Sequence, residues 1–91
     1  MQLAKVIGNV VVTRKDENLT GVTLLVLQPL AADGTSVGRT LVAVDAAGAG
    51  VGETVLIVSG SSARMASGMK DCPIDAAIVG IVDTVDVAAG D

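Results

Sequence analysis

Histidine, phenylalanine, tyrosine and tryptophan are absent from this 91-residue chain, and cysteine occurs once. Without histidine there is no imidazole to activate a hydroxyl or thiol at neutral pH, so the usual base of nucleophilic catalysis is missing. A zinc or iron site would have to be built almost entirely from carboxylates. The single thiol, Cys72, excludes an intramolecular disulfide and fits a reducing compartment. No aromatic ring is available for a nucleic-acid base to stack on. Basic residues are also scarce: six Lys and Arg stand against ten Asp and Glu, for a net charge of −4. They are scattered, so the basic patch that tracks a phosphate backbone is missing.

No run approaches the roughly 18 apolar residues of a membrane span. A basic amphipathic face for a membrane surface is missing too. The opening MQLAKVIGNVVVT lacks the basic region, apolar stretch and cleavage site of a signal peptide, so a cytoplasmic location is expected. Asn18-Leu19-Thr20 matches a glycosylation sequon, which without export carries no meaning. The composition implies neither nucleic acid nor membrane as a partner, and no cofactor, metal or catalytic set.

What remains is aliphatic. Half of the chain, 51%, is apolar, and 16 residues are valine. One domain is expected over residues 1–87, with a loose tail at 88–91. A domain of this size hides only about 60–70% of its unfolded surface, so a lone copy would be marginal.

Five strand-like segments can be read by alternation: Gln2–Thr13, Val22–Gln28, Arg39–Asp45, Glu53–Ser59 and Ala76–Val85. Pro29 should end the second, because it cannot donate to a ladder. Asp33-Gly34 marks a tight turn. Ser61 or Ser62 can cap a short helix at about Ala63–Met69, and Asp71-Cys72-Pro73-Ile74-Asp75 reads as a turn. The expected architecture is therefore all-β with one short helix: a small five-stranded antiparallel barrel with the inventory of an OB fold. The helix, however, lies between strands four and five. Val55–Val58 and Ile78–Val82 are apolar on both faces, which means that both faces are covered. A two-turn helix cannot cover two strands. Other copies of the chain can, and a homo-oligomer is expected.

The chemical candidates weigh less than their plainer readings. Gly48, Gly50 and Gly52 invite a phosphate cradle, but dinucleotide loops need G-x-G-x-x-G opening a helix, and this G-x-G-x-G opens a strand. A P-loop would end in Gly-Lys-Ser/Thr, which does not occur. Small residues instead permit close approach, within the turn or to another copy. Asp45 and Glu53 bracket this loop and read as turn caps and inter-subunit ion pairs, not as metal ligands, since the loop between them offers no oxygen side chains. Cys72 has no activating base, and Asp71 opposes any help from Lys70. Ser61-Ser62-Ala63-Arg64 could form an anion site at a helix start, against the simpler reading of a cap followed by an interface arginine.

At VAVDAAGAGVGETVLIVSGSSAR (42–64) and PIDAAIVGIVDTV (73–85) the chain resembles the EutN/CcmL family of bacterial microcompartment vertex proteins. MQLAKVIGNVVVTRK (1–15) and LTGVTLLVLQPL (19–30) support the likeness in the right order, so it covers about residues 1–87. The resemblance implies a cyclic pentamer of small barrels without enzymatic activity. Such pentamers cap the vertices of a polyhedral shell tiled by hexameric and pseudohexameric shell proteins, in the cytoplasm, around metabolic enzymes.

Carried onto this sequence, the resemblance places Gly48, Ala49, Gly50, Glu53, Ser61, Ser62, Arg64 and Asp83 near subunit contacts or a central pore. Asp45, Glu53, Asp75 and Asp83 fall where family members often carry acids, and Ala47 replaces a more common valine. Longer C-terminal extensions of some relatives are not expected. The alternative is an OB-like binding module for a small anion or oligonucleotide.

Overall fold

The computed structural model describes residues 1–13, 21–67 and 74–88, with the backbone alone at 64 and 67. Along the chain run β1 (Gln2–Val10), β2 (Leu24–Leu30), β3 (Leu41–Asp45), β4 (Thr54–Ser59), a short helix α1 (Ser61–Ser67) and β5 (Ala76–Ile81). The five strands close into a barrel in the order β1-β2-β3-β5-β4. This is the expected inventory, with the helix between β4 and β5 along the chain.

One seam departs from the antiparallel expectation. β3 and β5 run parallel, and only Val44 with Ala77 and Asp45 with Ile78 are paired. The reason is parity. Directions cannot alternate all the way around a ring with an odd number of strands, so at least one neighbouring pair must be parallel. Parallel pairing is also slightly less stable per residue, and here it is short. The rows are staggered as closure requires. Val10 faces Leu24, Leu24 faces Val44, Val44 faces Ala77 and Ala77 faces Val58, which lies beside the start of β1 rather than its end.

Alternation along each strand fills the interior. Ala4, Val6, Leu25, Leu27, Ala43, Val55, Ile57, Ala76 and Ile78 form the core. The alanines leave room for the longer leucines and isoleucines, so the interior of a barrel without aromatic residues is filled by aliphatic side chains alone. Leu27, fully buried, contributes about 1.5–3 kcal/mol by this burial. A second cluster lies outside the barrel, where Ala63 of α1 and Ile74 cover Val44 and Ala77, flanked by Val22, Leu24 and Val58. The helix thus covers only one end of the β4–β5 surface. Leu56 stays half-buried, and Val79 and Ile81 are 37% and 41% exposed in the single chain.

Several boundaries differ from expectation. β2 continues through Pro29, which is opposite Ala4. The Pro29 carbonyl accepts from Val37 N–H at 3.0 Å. Since N and carbonyl of one strand residue point to the same side, the donor that proline lacks would have faced the 31–40 hairpin, and the β1 ladder loses nothing. β1 ends at Val10 and β5 at Ile81, both short of the apolar runs that carried the expectation. α1 begins at Ser61, not Ala63, because the Gly60 carbonyl already accepts Ala63 N–H at 3.2 Å. The serines lie inside the first turn, with Gly60 before it, so neither is the cap.

Candidate functional site

The glycine loop between β3 and β4 is tied down by its own acids. One oxygen of the Asp45 carboxylate accepts the N–H groups of Ala47 (2.9 Å) and Gly48 (3.0 Å), and the other accepts Ala49 N–H at 2.9 Å. Glu53 accepts Gly50 N–H at 2.6 Å, while its own N–H donates to the Gly50 carbonyl at 3.1 Å. The loop closes onto β1 through Gly52 N–H to the Val6 carbonyl and Val6 N–H to the Glu53 carbonyl, both 2.9 Å. Gly48 and Gly52 hold φ of +78° and +95°, a region that side chains with a Cβ rarely enter.

These bonds decide the chemistry of the motif. A phosphate cradle presents free backbone N–H groups, and here the donors of residues 47–50 already face carboxylates of the same chain. A bound anion would have to displace both acids and accept their repulsion. Asp45 and Glu53 therefore act as turn caps. Among the described residues, no three Asp, Glu, His or Cys side chains converge as metal ligands would.

Gly50 differs from the other two glycines. Its φ is not positive, and a Cβ there would meet only the Glu53 carboxylate at 3.5 Å, an ordinary contact. Nothing among the described residues of one chain requires glycine at this position.

The sequence candidates fall into two groups at opposite ends of the strands. Gly48, Ala49, Gly50 and Glu53 join the end of β3 to the start of β4, and Asp83 follows the end of β5 on the same side. Val82 N–H donates to the Thr54 carbonyl at 2.9 Å, which keeps this segment beside Glu53. Ser61, Ser62 and Arg64 follow β4 at the other end, both serines exposed. The Gly60 N–H donates to the Asp75 carbonyl at 2.8 Å and anchors the start of α1. Cys72, Lys70 and the Asp71–Pro73 turn lie outside the described residues, as does the 14–18 polar cluster.

Two features were not anticipated. Gln28 reaches outward to brace the 31–40 hairpin, its amide donating to the Pro29 and Val37 carbonyls at 3.1 and 3.3 Å. A groove of about 590 Å³ also opens beside the short β3–β5 seam, among Met1, Leu41, Val42, Val58, Asp75 and Ala76. Its signal was in the sequence. Leu41–Val44 is apolar on both faces, as β4 and β5 are, and the same argument applied to β3 would have marked it.

Comparison with known proteins places these features in context. Residues 1–83 match the family model described as ethanolamine utilisation protein EutN/carboxysome. The carboxysome shell vertex protein CcmL of Synechocystis sp. is 54% identical over 90 residues, covering 99% of this chain and 90% of that protein. The bacterial microcompartment shell vertex protein GrpN of Rhodospirillum rubrum is 52% identical over 86 residues, covering 94% and 97%. Among solved structures, a carboxysome subunit CcmL superposes with TM-score 0.92 at 54% identity, covering 99% of this chain and 94% of that one. The pentameric microcompartment shell protein GrpN does so with TM-score 0.89 at 50% identity, covering 97% and 100%.

Proposed function

The chain belongs to the EutN/CcmL family, and on that premise we propose that five copies close into a ring that caps the vertices of a bacterial microcompartment shell in the cytoplasm. The observation that carries this reading is the near full-length likeness, in sequence and in fold, to shell vertex proteins, including one solved as a pentameric shell protein. The physics of the chain agrees. A barrel whose helix covers only one end of its doubly apolar strands keeps Val79, Ile81 and Val42 exposed, at 37%, 41% and 45%, and neighbouring copies would cover such residues.

The role is geometric. Flat sheets tiled by six-fold units have no curvature, and a five-fold unit introduces it, so the partners of this ring are hexameric and pseudohexameric shell proteins. No catalysis is assigned to it: the most distinctive motif spends its acids and amides on holding its own loop. The same point weighs against an anion-binding OB-like module, and the acidic pI of about 4.4 weighs against oligonucleotides.

Native mass spectrometry tests the ring. The expected species is about 45 kDa, five times the 9.0 kDa chain. A stable monomer or dimer at micromolar concentration refutes the reading. Co-expression with hexameric shell proteins tests the vertex: closed shells form with this chain, and open sheets or tubes form without it.

A further inference from the structure

We propose that segment 82–88 of each copy docks, in an extended conformation, into the β3–β5 groove of its neighbour, with Val85 and Val87 entering the groove. This inference rests on the pentameric reading above and names the surfaces that join the copies.

The groove exists because the barrel closes imperfectly. β3 is paired along β2 from Leu41 to Val44 but meets β5 only at Val44 and Asp45. Among the described residues, Leu41–Ala43 therefore has a strand neighbour on one side only, next to the groove of about 590 Å³. Such an edge is a template for an added strand, which supplies backbone hydrogen bonds while alternate side chains fill pockets.

The projecting partner follows β5. Val82 is still hydrogen-bonded beside β4, and residues 83–88 then continue with no strand partner among the described residues, all of them exposed. Val85 and Val87 are 43% and 64% exposed. In an extended chain they lie on one side, two residues apart, with Thr84 and Asp86 on the other.

Reach and charge both fit. Six extended residues span about 20 Å, the length of six-residue β5. The segment leaves the barrel at the end of β5, whereas the groove opens at the strand's start, so running back along a neighbour brings the valines to it. Exposed Arg39 precedes the groove residue Leu41 by two positions and offers a cation to Asp83 or Asp86. Asp75, on the groove, repels those acids and leaves the valines to enter. A cyclic ring needs two different surfaces on each copy, one giving and one receiving, and the tail and the groove are such a pair.

Disulfide trapping tests the docking. In a Cys72→Ser background, Val42→Cys is combined with Val85→Cys or with Val87→Cys, and the purified ring is oxidised. Cysteines bridge only when their Cα atoms approach within roughly 4.4–6.8 Å. At least one pair should give a covalent ladder reaching five chains on a denaturing non-reducing gel, while Val42→Cys with Val11→Cys gives none. A native pentamer with no inter-chain link from either pair overturns the docking but leaves the pentamer standing, and so does a link formed only within a chain. A monomeric Cys72→Ser parent overturns both. As a second measure, Val85→Asp with Val87→Asp should keep the far-UV circular dichroism spectrum of the fold. It should raise the chain concentration for half-assembly at least tenfold, and an unchanged concentration counts against the docking.

Discussion

Replacing Asp45 by Ala removes a single half-buried carboxylate that accepts three backbone N–H groups, from Ala47, Gly48 and Ala49, at 2.9–3.0 Å. Hydrogen bonds to a charged group contribute about 1.5–3 kcal/mol each, so a plain sum gives roughly 5–9 kcal/mol. That sum is too large, because Gly48 is exposed and water can take over a freed donor. Helix-capping acids in a similar half-wet setting are worth about 0.5–2 kcal/mol. Three such bonds from one anchored side chain place the cost at about 2–4 kcal/mol. For a domain of this size, each kcal/mol lowers Tm by roughly 4–8 °C, so the expected fall is about 8–32 °C.

The assay is far-UV circular dichroism, since the chain has no Trp or Tyr to report by fluorescence. Chain concentration must be held fixed, because assembly itself raises apparent stability. Asp45→Asn retains one acceptor oxygen but turns an NH₂ group toward the loop's donors, so it should fall between Asp45→Ala and the parent. An Asp45→Ala melt within about 2 °C of the parent, well under the lower bound worked above, would refute the view that the loop is held by its acids.

Strand count, helix position and the inward set were legible because alternation and turn residues are local signals. Ala4, Val6, Leu25, Leu27, Val55 and Ile57 alternate with half-buried or exposed neighbours, whereas in β5 Ala76, Ala77 and Ile78 are all buried because α1 and Ile74 cover Ala77 from outside. The parallel β3–β5 seam was not legible from any residue, since it follows from closure of an odd-stranded ring. Pro29 misled for a related reason: the rule that proline ends a strand depends on which side its missing donor faces, and that is set by the hairpin folding back from Val37. Ser61 and Ser62 looked like caps on propensity, but the Gly60 carbonyl started the turn one step earlier. The turn role of the glycine motif was legible, with Gly48 and Gly52 at positive φ, yet the separation of its residues from Ser61, Ser62 and Arg64 is a property of the barrel. No spacing along the chain reports which strand end a loop occupies.

The loop glycines should separate into two kinds. Gly52→Ala forces a Cβ into φ +95° and should cost about 1–2 kcal/mol in urea unfolding. Gly50→Ala should leave the fold within about 0.5 kcal/mol but weaken the pentamer on dilution if this loop meets another copy. Leu27→Ala, at a fully buried site, should cost about 2–5 kcal/mol, with a smaller loss implying that the barrel collapses around the gap. Thr35 donates to Asp33 through its hydroxyl and its N–H at 2.7 and 3.0 Å, and these bonds hold the Asp33 carboxyl below its ordinary 3.8. A depressed value adds stability that is present above pH 3.8 and fades as pH falls through the folded-state midpoint. A carboxyl-detected NMR titration should show that midpoint below 3.8, and Thr35→Val should raise it. Ile81→Asp bears most directly on assembly. At 41% exposure in the single chain, the new carboxylate can stay hydrated, so the barrel should still fold. Covered by a neighbour, the same charge would be buried without a partner at a cost of several kcal/mol. The expected product is a folded monomer, with the parent's far-UV spectrum and a native mass near 9.0 kDa. A pentamer that survives this substitution would mean that Ile81 faces solvent in the ring, and the inference from doubly apolar strands to subunit contacts would fail at β5.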